Sequence, residues 1–163
     1  MRNKGFSLIE IVIVLVLIAL SIALVTPSLS RFSKRIELKT SAQKVSGILR
    51  FFRSESVQKG RVFQVLFDPD SNVVKVRALE GDDPEKEGKE GPRIQEKRYV
   101  LPSGIQMREV KIPSPEFPSD LPTIEFYPHG GSNGGTILLE MPDQKGYRIK
   151  VHFLTGMVEI EAV

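Results

Sequence analysis

One short pattern in the sequence has the residue types and the order of a hydrolase site. Residues 130–134 (GGSNG) match the G-x-S-x-G pattern around a nucleophilic serine, and Asp143 and His152 follow in the hydrolase order. A nucleophile elbow joins a strand to a helix, however, whereas residues 136–139 (TILL) predict a strand. We therefore interpret the segment as a glycine-rich hairpin loop, and we predict no catalytic residue and no enzyme activity.

The same loop spaces two glycines as a phosphate-binding P-loop does. Gly130 and Gly135 fit that spacing, but Thr136 stands where the P-loop requires lysine. Without that cation the loop lacks the charge that contacts the phosphates. We predict no nucleotide and no other cofactor.

An acidic segment after residue 67 resembles the start of a calcium-binding EF-hand loop. Asp68, Asp70 and Asn72 have the spacing of its first ligands, but Val73 takes the place of the required glycine and Leu79 that of the bidentate glutamate. Proline and aspartate in their usual turn positions favour a hairpin turn instead.

The two histidines give no metal-binding spacing either. His129 is expected on a loop surface and His152 in a strand, and the chain has no cysteine. We predict no metal site.

The remaining residue with unusual chemistry is Glu10, which interrupts an apolar run over residues 6–25. As a helix this run is about 30 Å long, which matches the hydrocarbon core of a membrane, and Arg2 and Lys4 predict a cytoplasmic N-terminus. A carboxylate at that depth costs about 2.5–3.5 kcal/mol. No lysine or arginine lies between Phe6 and Ser30 to pair with it, so the counter-charge must come from another molecule.

Two ordinary interpretations of this run leave Glu10 unexplained. A secretory signal peptide has a shorter apolar stretch, of roughly 7–15 residues, and a small-x-small cleavage site, which residues 25–28 (VTPS) fit poorly. A simple membrane anchor needs no acidic residue.

Residues 4–10 (KGFSLIE) resemble the signal of type IV prepilins: a basic leader that ends in glycine, then phenylalanine, a glutamate four residues later and an apolar run. The resemblance implies that prepilin peptidase removes the leader, residues 1–5, by cleaving between Gly5 and Phe6, and that it methylates the new amine of Phe6. It also implies a role for Glu10 in subunit assembly, where its carboxylate pairs with the Phe6 ammonium of a neighbouring subunit.

Composition and charge exclude several classes of protein. The chain has 163 residues, 40% of them hydrophobic, with 23 basic and 20 acidic side chains, which favours one globular domain over a disordered or collagen-like chain. Two of the basic residues belong to the leader, so its removal leaves a nearly neutral chain. The basic excess therefore does not indicate a nucleic-acid partner.

Periodicity predicts the elements that must position these residues. Apolar residues at alternating spacings of three and four predict a one-faced helix over about 28–59 with Gly60 as its C-cap; the stripe consists of Leu38, Ala42, Val45, Ile48, Leu49 and Phe52. Six basic residues are expected on the solvated side: Lys34, Arg35, Lys39, Lys44, Arg50 and Arg53. Pro27, between the apolar run and this stripe, predicts a kink or a break.

Alternation with a period of two predicts strands after Gly60. The predicted strands are 61–67, 72–79, 94–101, 105–112, 123–127, 136–141, 147–154 and 157–161. Residues 80–93 predict a charged loop and residues 113–122, with four prolines, an extended connector. The expected fold class is α+β: a long N-terminal helix packs on an antiparallel β domain of two sheets, as in pilins.

A second resemblance covers the rest of the chain. Residues 124–131 (IEFYPHGG), 134–139 (GGTILL) and the final hairpin around 155–158 (TGMV) are similar to the GspH/FimT domain. This implies a minor pseudopilin of a type II secretion pseudopilus, made of a leader (1–5), a transmembrane and filament-core helix (6–27) and a periplasmic domain (28–163). The implied location is the bacterial inner membrane, as a single-pass protein, and the implied partners are other pseudopilins, prepilin peptidase and exported proteins.

The alternative is a FimT-like minor type IV pilin that serves pilus assembly or DNA uptake. Such pilins carry a basic C-terminal end, whereas residues 157–163 (MVEIEAV) contain two acidic residues and no basic one. Phosphate contacts require lysine or arginine, so we expect no nucleic-acid partner.

Overall fold

The computed structural model describes residues 7–79, 97–142 and 144–163, and for residues 23–31 it describes the backbone alone. Within these residues one helix precedes eight strands. The helix is α1 (Leu8–Lys59), and the strands are β1 (Phe63–Asp68), β2 (Val73–Ala78), β3 (Lys97–Val100), β4 (Gln106–Lys111), β5 (Thr123–Phe126), β6 (Gly135–Glu140), β7 (Tyr147–Val151) and β8 (Val158–Ala162).

The chain forms two compact units, Met1–Ile36 and Glu37–Val163. The described part of the first unit is helical from Leu8 onward. The helix runs through Pro27 without interruption, so the predicted break does not occur. A kink at this proline stays a prediction.

The second unit contains two four-stranded antiparallel sheets among its described residues. One sheet has the order β3-β2-β1-β5 and the other the order β4-β6-β7-β8. The predicted apolar stripe of α1 is buried with the inward-facing side chains of both sheets in one core, which confirms the expected class of a helix packed on two sheets. Phe52 stands near its centre, with its ring 5.4 Å from that of Phe63 on β1.

The C-terminal end of α1 has the predicted glycine cap. Gly60 has a positive φ of 61°, and the Arg61 amide donates to the Ser56 carbonyl at 3.2 Å. This is the bond of a Schellman motif, which satisfies one of the carbonyls left free in the last turn.

The strands lie close to their predicted positions, with shifts at their ends. The predicted strand 147–154 stops at Val151, so His152 follows β7 rather than lying in it. The predicted loop 80–93 and the first residues of the predicted strand 94–101 lie outside the described residues.

Candidate functional site

The N-terminus of α1 is capped by the serine next to the predicted cleavage site. The Glu10 amide lies 3.3 Å from Ser7 Oγ and 3.1 Å from the Ser7 carbonyl. Ser7 and Glu10 thus occupy the first and last places of the S-x-x-E capping pattern. The acidic side chain also stands in the first turn, where the helix dipole favours negative charge. Sequence reasoning overlooked this second role of Glu10, although the spacing was visible.

Residues 8–22 of the helix present apolar side chains to solvent on every side. Leu8 is 82% exposed, and the other large apolar residues up to Ile22 are between 44% and 64% exposed. The one side-chain hydroxyl of this segment is satisfied internally, because Ser21 Oγ donates to the Leu17 carbonyl at 2.8 Å. A contiguous apolar surface of this kind marks a region that is covered by another molecule.

Among the described residues, no helical stretch combines the length and the apolarity that crossing a membrane requires.

Of the four residues with predicted roles, two lie within the described residues and two lie outside them. Gly5 and Phe6 lie outside the described residues, and so does the leader. Glu10 is exposed on the first turns of α1, and Pro27 lies within the helix. Their proposed roles in cleavage, methylation, assembly and bending stay predictions.

The G-x-S-x-G pattern forms a loop between two strands, β5 and β6. Ser132 Oγ accepts a hydrogen bond from the Gly134 amide at 3.0 Å, and His152 Nε2 lies 3.1 Å from Glu159 Oε2. Asp143 lies outside the described residues. The loop leads from β5 in one sheet to β6 in the other, so the prediction of a hairpin loop was wrong, because these two strands do not pair with each other. Since it joins a strand to a strand, the segment also differs from a nucleophile elbow, which leads into a helix.

Asp68 acts as a turn residue. It accepts a hydrogen bond from the Ser71 amide at 3.1 Å and forms an ion pair with Lys75. The Ser71 hydrogen bonds, followed by the Lys75 ammonium, hold the pKa of Asp68 below its ordinary value. In the part of the chain that the structure describes, no group of three or more histidine and acidic residues is arranged to hold a metal ion.

Within the glycine-rich loop, Asn133 joins the two sheets. Its Oδ1 accepts from the Glu125 amide at 2.9 Å and its Nδ2 donates to the Thr123 carbonyl at 3.0 Å. The side-chain amide therefore pairs with the edge of β5 as a neighbouring strand would. Because β6 begins at Gly135, this pairing ties one sheet to the start of the other.

Glu125 is a completely buried carboxylate on β5 that holds the proline-rich connector. It accepts hydrogen bonds from the amides of Glu116 and Phe117, at 2.7 and 3.1 Å, and from Gln64 Nε2 at 2.8 Å. The Tyr127 hydroxyl supplies a fourth hydrogen bond at 3.0 Å. Burial, followed by this bond and the nearby carboxylates, raises the pKa of Tyr127 well above its ordinary value.

Two of the six basic residues expected on the solvated side of α1 bind backbone oxygens instead. Arg53 Nε donates to the carbonyls of Thr155, at 2.9 Å, and Gly130, at 3.2 Å. Arg50 Nη2 donates to the Val158 carbonyl at 2.9 Å. Both arginines fasten the helix to loops and strand ends, so the expectation was wrong for Arg53, which is half-buried, and incomplete for the exposed Arg50.

The turn between β7 and β8 carries exposed apolar side chains. Phe153 is 64% and Leu154 76% exposed, and Leu154 has a positive φ of 31°. This conformation is unfavourable for a residue with a branched side chain, and it persists where the surrounding structure holds it.

The face of the second sheet does not form a basic stripe at its C-terminal end. Arg148 lies directly across from Glu161, and Lys150 across from Glu159. Opposite charges at facing positions reduce the positive potential that a polyanion would need. The expectation that nucleic acid is not a partner stays a prediction.

A helix that begins with an exposed apolar segment and continues into a two-sheet core defines the pilin-like class. The minor pseudopilin EpsH from the type 2 secretion system of Vibrio cholerae has this fold, with a TM-score of 0.57 and 20% identity over 77% of this chain and 97% of that one. The type IV minor pilin FimU of Pseudomonas aeruginosa shares it, with a TM-score of 0.55 and 15% identity over 81% of this chain and 96% of that one.

Sequence comparison narrows the class to one family. A model of the prokaryotic N-terminal methylation motif matches residues 1–26, and a model of the type II transport protein GspH matches residues 41–155. The chain belongs to the GspH family. The type II secretion system protein H of Xanthomonas campestris pv. campestris is 26% identical over 155 residues, 95% of this chain and 81% of that protein.

These matches confirm the predicted family and the predicted function of a type II secretion minor pseudopilin. The motif and the family also imply an inner-membrane anchor with a periplasmic domain, and association with other pseudopilins.

Proposed function

We propose that this chain works as a non-catalytic structural subunit whose residues 6–25 are held first in the inner membrane and then in the core of a pseudopilus. The observation that supports this most is the exposed apolar surface over residues 8–22. In both surroundings these side chains contact apolar groups, so assembly exchanges one apolar environment for another. The domain from residue 28 onward lies in the periplasm in this proposal, where it meets other pseudopilins and exported proteins.

Before assembly, prepilin peptidase cleaves between Gly5 and Phe6 and methylates the Phe6 amine. The match of the methylation motif to residues 1–26 supports this step. Cleavage leaves Ser7, the observed helix cap, one residue from the new N-terminus. The capped first turn then brings the new ammonium group close to the start of the helix.

Glu10 guides assembly by pairing with the Phe6 ammonium of a neighbouring subunit. Among the residues from Phe6 to Ser30 it is the one charged side chain, and the structure leaves it exposed. Pairing two charges lowers the cost of keeping each in an apolar bundle. Both the Phe6 amine and the Glu10 carboxylate of a subunit are paired at only one axial position relative to its neighbours. That position is therefore favoured.

The test is Glu10→Ala in the native secretion system. We expect cleavage after Gly5 to remain complete, as measured by mass spectrometry of the N-terminus. We expect incorporation into pseudopili to fall at least about tenfold, because the unpaired ammonium costs about 2.5–3.5 kcal/mol in an apolar environment. Glu37→Ala, an exposed acidic residue of the same helix, is the matched control and should incorporate normally. Normal incorporation of Glu10→Ala would refute the pairing.

A second candidate is a minor pilin of a type IV pilus, which the fold shared with FimU supports. A salt-dependent gel shift separates its DNA-uptake form from our proposal. Tight DNA binding at moderate salt would favour the pilin, whereas the facing charge pairs of β7 and β8 predict none.

A further inference from the structure

A small cavity lies between the glycine-rich loop, the β7–β8 turn and the connector. Its volume is about 270 Å³, below the usual range for a drug-sized ligand and large enough for one long side chain. Six residues line it: Glu116, Tyr127, His129, Ser132, Phe153 and Leu154. Three of them are aromatic rings, and two of these, Tyr127 and His129, stack in parallel with their centroids 5.5 Å apart.

One carboxylate lines this cavity, and a second is buried behind its wall. Glu116 lines it directly, and Glu125 lies behind Tyr127, whose hydroxyl donates to it. The other groups that bond to Glu125 are a side-chain amide and two backbone amides, all neutral. None of the described residues forms an ion pair with Glu116 or Glu125. The Glu116 carboxylate therefore faces the cavity without an ion-pair partner among the described residues, and the nearby Arg53 guanidinium bonds to backbone carbonyls instead.

The walls of the cavity are held in place before any ligand arrives. Arg53 donates to a carbonyl on each of the two turns, at Gly130 and Thr155. The turns also touch one another, because a side chain at Gly131 would come within 2.9 Å of the Leu154 carbonyl. These contacts hold Leu154 in its positive-φ conformation, and a site fixed in this way loses little entropy when it binds.

We propose that this cavity binds an arginine side chain of a partner subunit. A guanidinium group is planar and always charged, stacks on aromatic rings and bonds to carboxylates. The cavity offers these features together in the rings of Tyr127, His129 and Phe153 and the carboxylate of Glu116. Lysine fits less well because its ammonium is compact and strongly hydrated. That the arginine belongs to another pseudopilin rests on the proposed function; the binding chemistry does not.

The experiment uses the full-length protein in detergent micelles and N-acetyl-arginine-methylamide as the probe. NMR signals of the Leu154 methyl groups and the Phe153 and His129 rings report binding. We expect these signals to shift and saturate at millimolar probe. The citrulline analogue, which has the same shape without the charge, should bind about tenfold more weakly, because charge-assisted bonds exceed neutral ones.

Two variants test whether the arginine probe binds at this cavity. Glu116→Gln should weaken arginine binding about fivefold or more, because it removes the exposed carboxylate and keeps the shape. Glu37→Gln removes the same charge from a residue that does not line the cavity and should change nothing. Equal binding of citrulline, full binding by Glu116→Gln, shifts confined to other residues, or tighter binding of the lysine analogue would overturn the proposal. Because the probe contains no pseudopilin, failure here leaves the proposed function untouched, and failure of the Glu10 test leaves this site untouched.

Discussion

The two units of the chain differ in the exposure of the apolar side chains of α1. In Met1–Ile36 the described apolar residues of α1 are exposed, with Leu15 at 60%. In Glu37–Val163 the apolar stripe of the same helix is buried among two sheets. Helix formation is common to both regions, but among the described residues the apolar side chains of the helix find apolar partners in the second region alone.

The difference shows that only one described part of α1 contributes side chains to the core of the domain. The second part stabilises a domain through its core, as most helices in globular proteins do. The first part has no such partner among the described residues. Substitutions in the two regions should therefore affect different measurements.

The largest expected effect comes from core truncation. Phe52→Ala removes a ring that is 97% buried, given its 3% exposure, and should lower the free energy of unfolding by about 3–5 kcal/mol. Leu15→Ala, in the exposed region, should leave this free energy unchanged. Urea unfolding followed by circular dichroism measures both. A comparable loss from Leu15→Ala would mean that the two regions share one core.

The next effect tests the polar interior of the second unit. Glu125→Gln replaces a carboxylate oxygen that accepts hydrogen bonds with an NH₂ group that faces other donors. It should lower the free energy of unfolding by about 2–3 kcal/mol. Hydrogen exchange should become faster selectively at the amides of Glu116 and Phe117, because these amides donate to the Glu125 carboxylate in the unsubstituted protein. Glu161→Gln, at an exposed position, should change stability by less than about 0.5 kcal/mol. Unchanged exchange in Glu125→Gln would contradict the role of this residue in holding the connector.

A smaller effect distinguishes conformational strain from crowding. Gly156 and Gly104 both have positive φ, but a side chain at Gly156 would lie 2.8 Å from the Gly130 carbonyl, whereas the space at Gly104 is open. Gly104→Ala should lower the free energy of unfolding by about 1 kcal/mol, from backbone strain alone. Gly156→Ala should lower it by about 2 kcal/mol, because crowding adds to the strain. Thermal unfolding compares them, and equal losses would show that the contact between the turns does not matter.

The smallest effect is a pH dependence in the β1–β2 hairpin. The pKa of Asp68 is lowered in the folded protein, so its contribution is present above the unfolded pKa and is lost as the pH falls through the folded value. Asp68→Asn should therefore lower the stability of the protein slightly at pH 7, and this difference should disappear as the pH falls through the lowered pKa. Unfolding measured at pH 7 and along an acid titration checks the sign. A difference that grows in acid would contradict it.

The parts of the fold that were predictable are those encoded by neighbouring residues. The stripe on α1, the Gly60 cap and the alternation of the strands depend on spacings of two to four residues, and the structure confirms them. The prepilin signal is equally local, since its positions lie within one short segment.

The features that were missed depend on distant pairs. Arg53 binds carbonyls 77 and 102 residues away, and nothing near it in the sequence distinguishes it from the exposed cations of α1. Glu125 was detectable in principle, because a carboxylate between Ile124 and Phe126 in an apolar strand needs buried donors. The identity of those donors was not, because the connector reaches β5 only in the folded domain.

The sequence by itself determined the helix, the strands and the single charge in an apolar run, because hydrophobic periodicity and charge burial act through local composition. The tertiary structure alone decided that Asn133 joins the sheets, that Arg53 holds two turns and that aromatic rings meet carboxylates around a cavity. Hydrogen bonds and ion contacts are short and directional, so their partners exist only after folding has brought remote segments within about 3 Å.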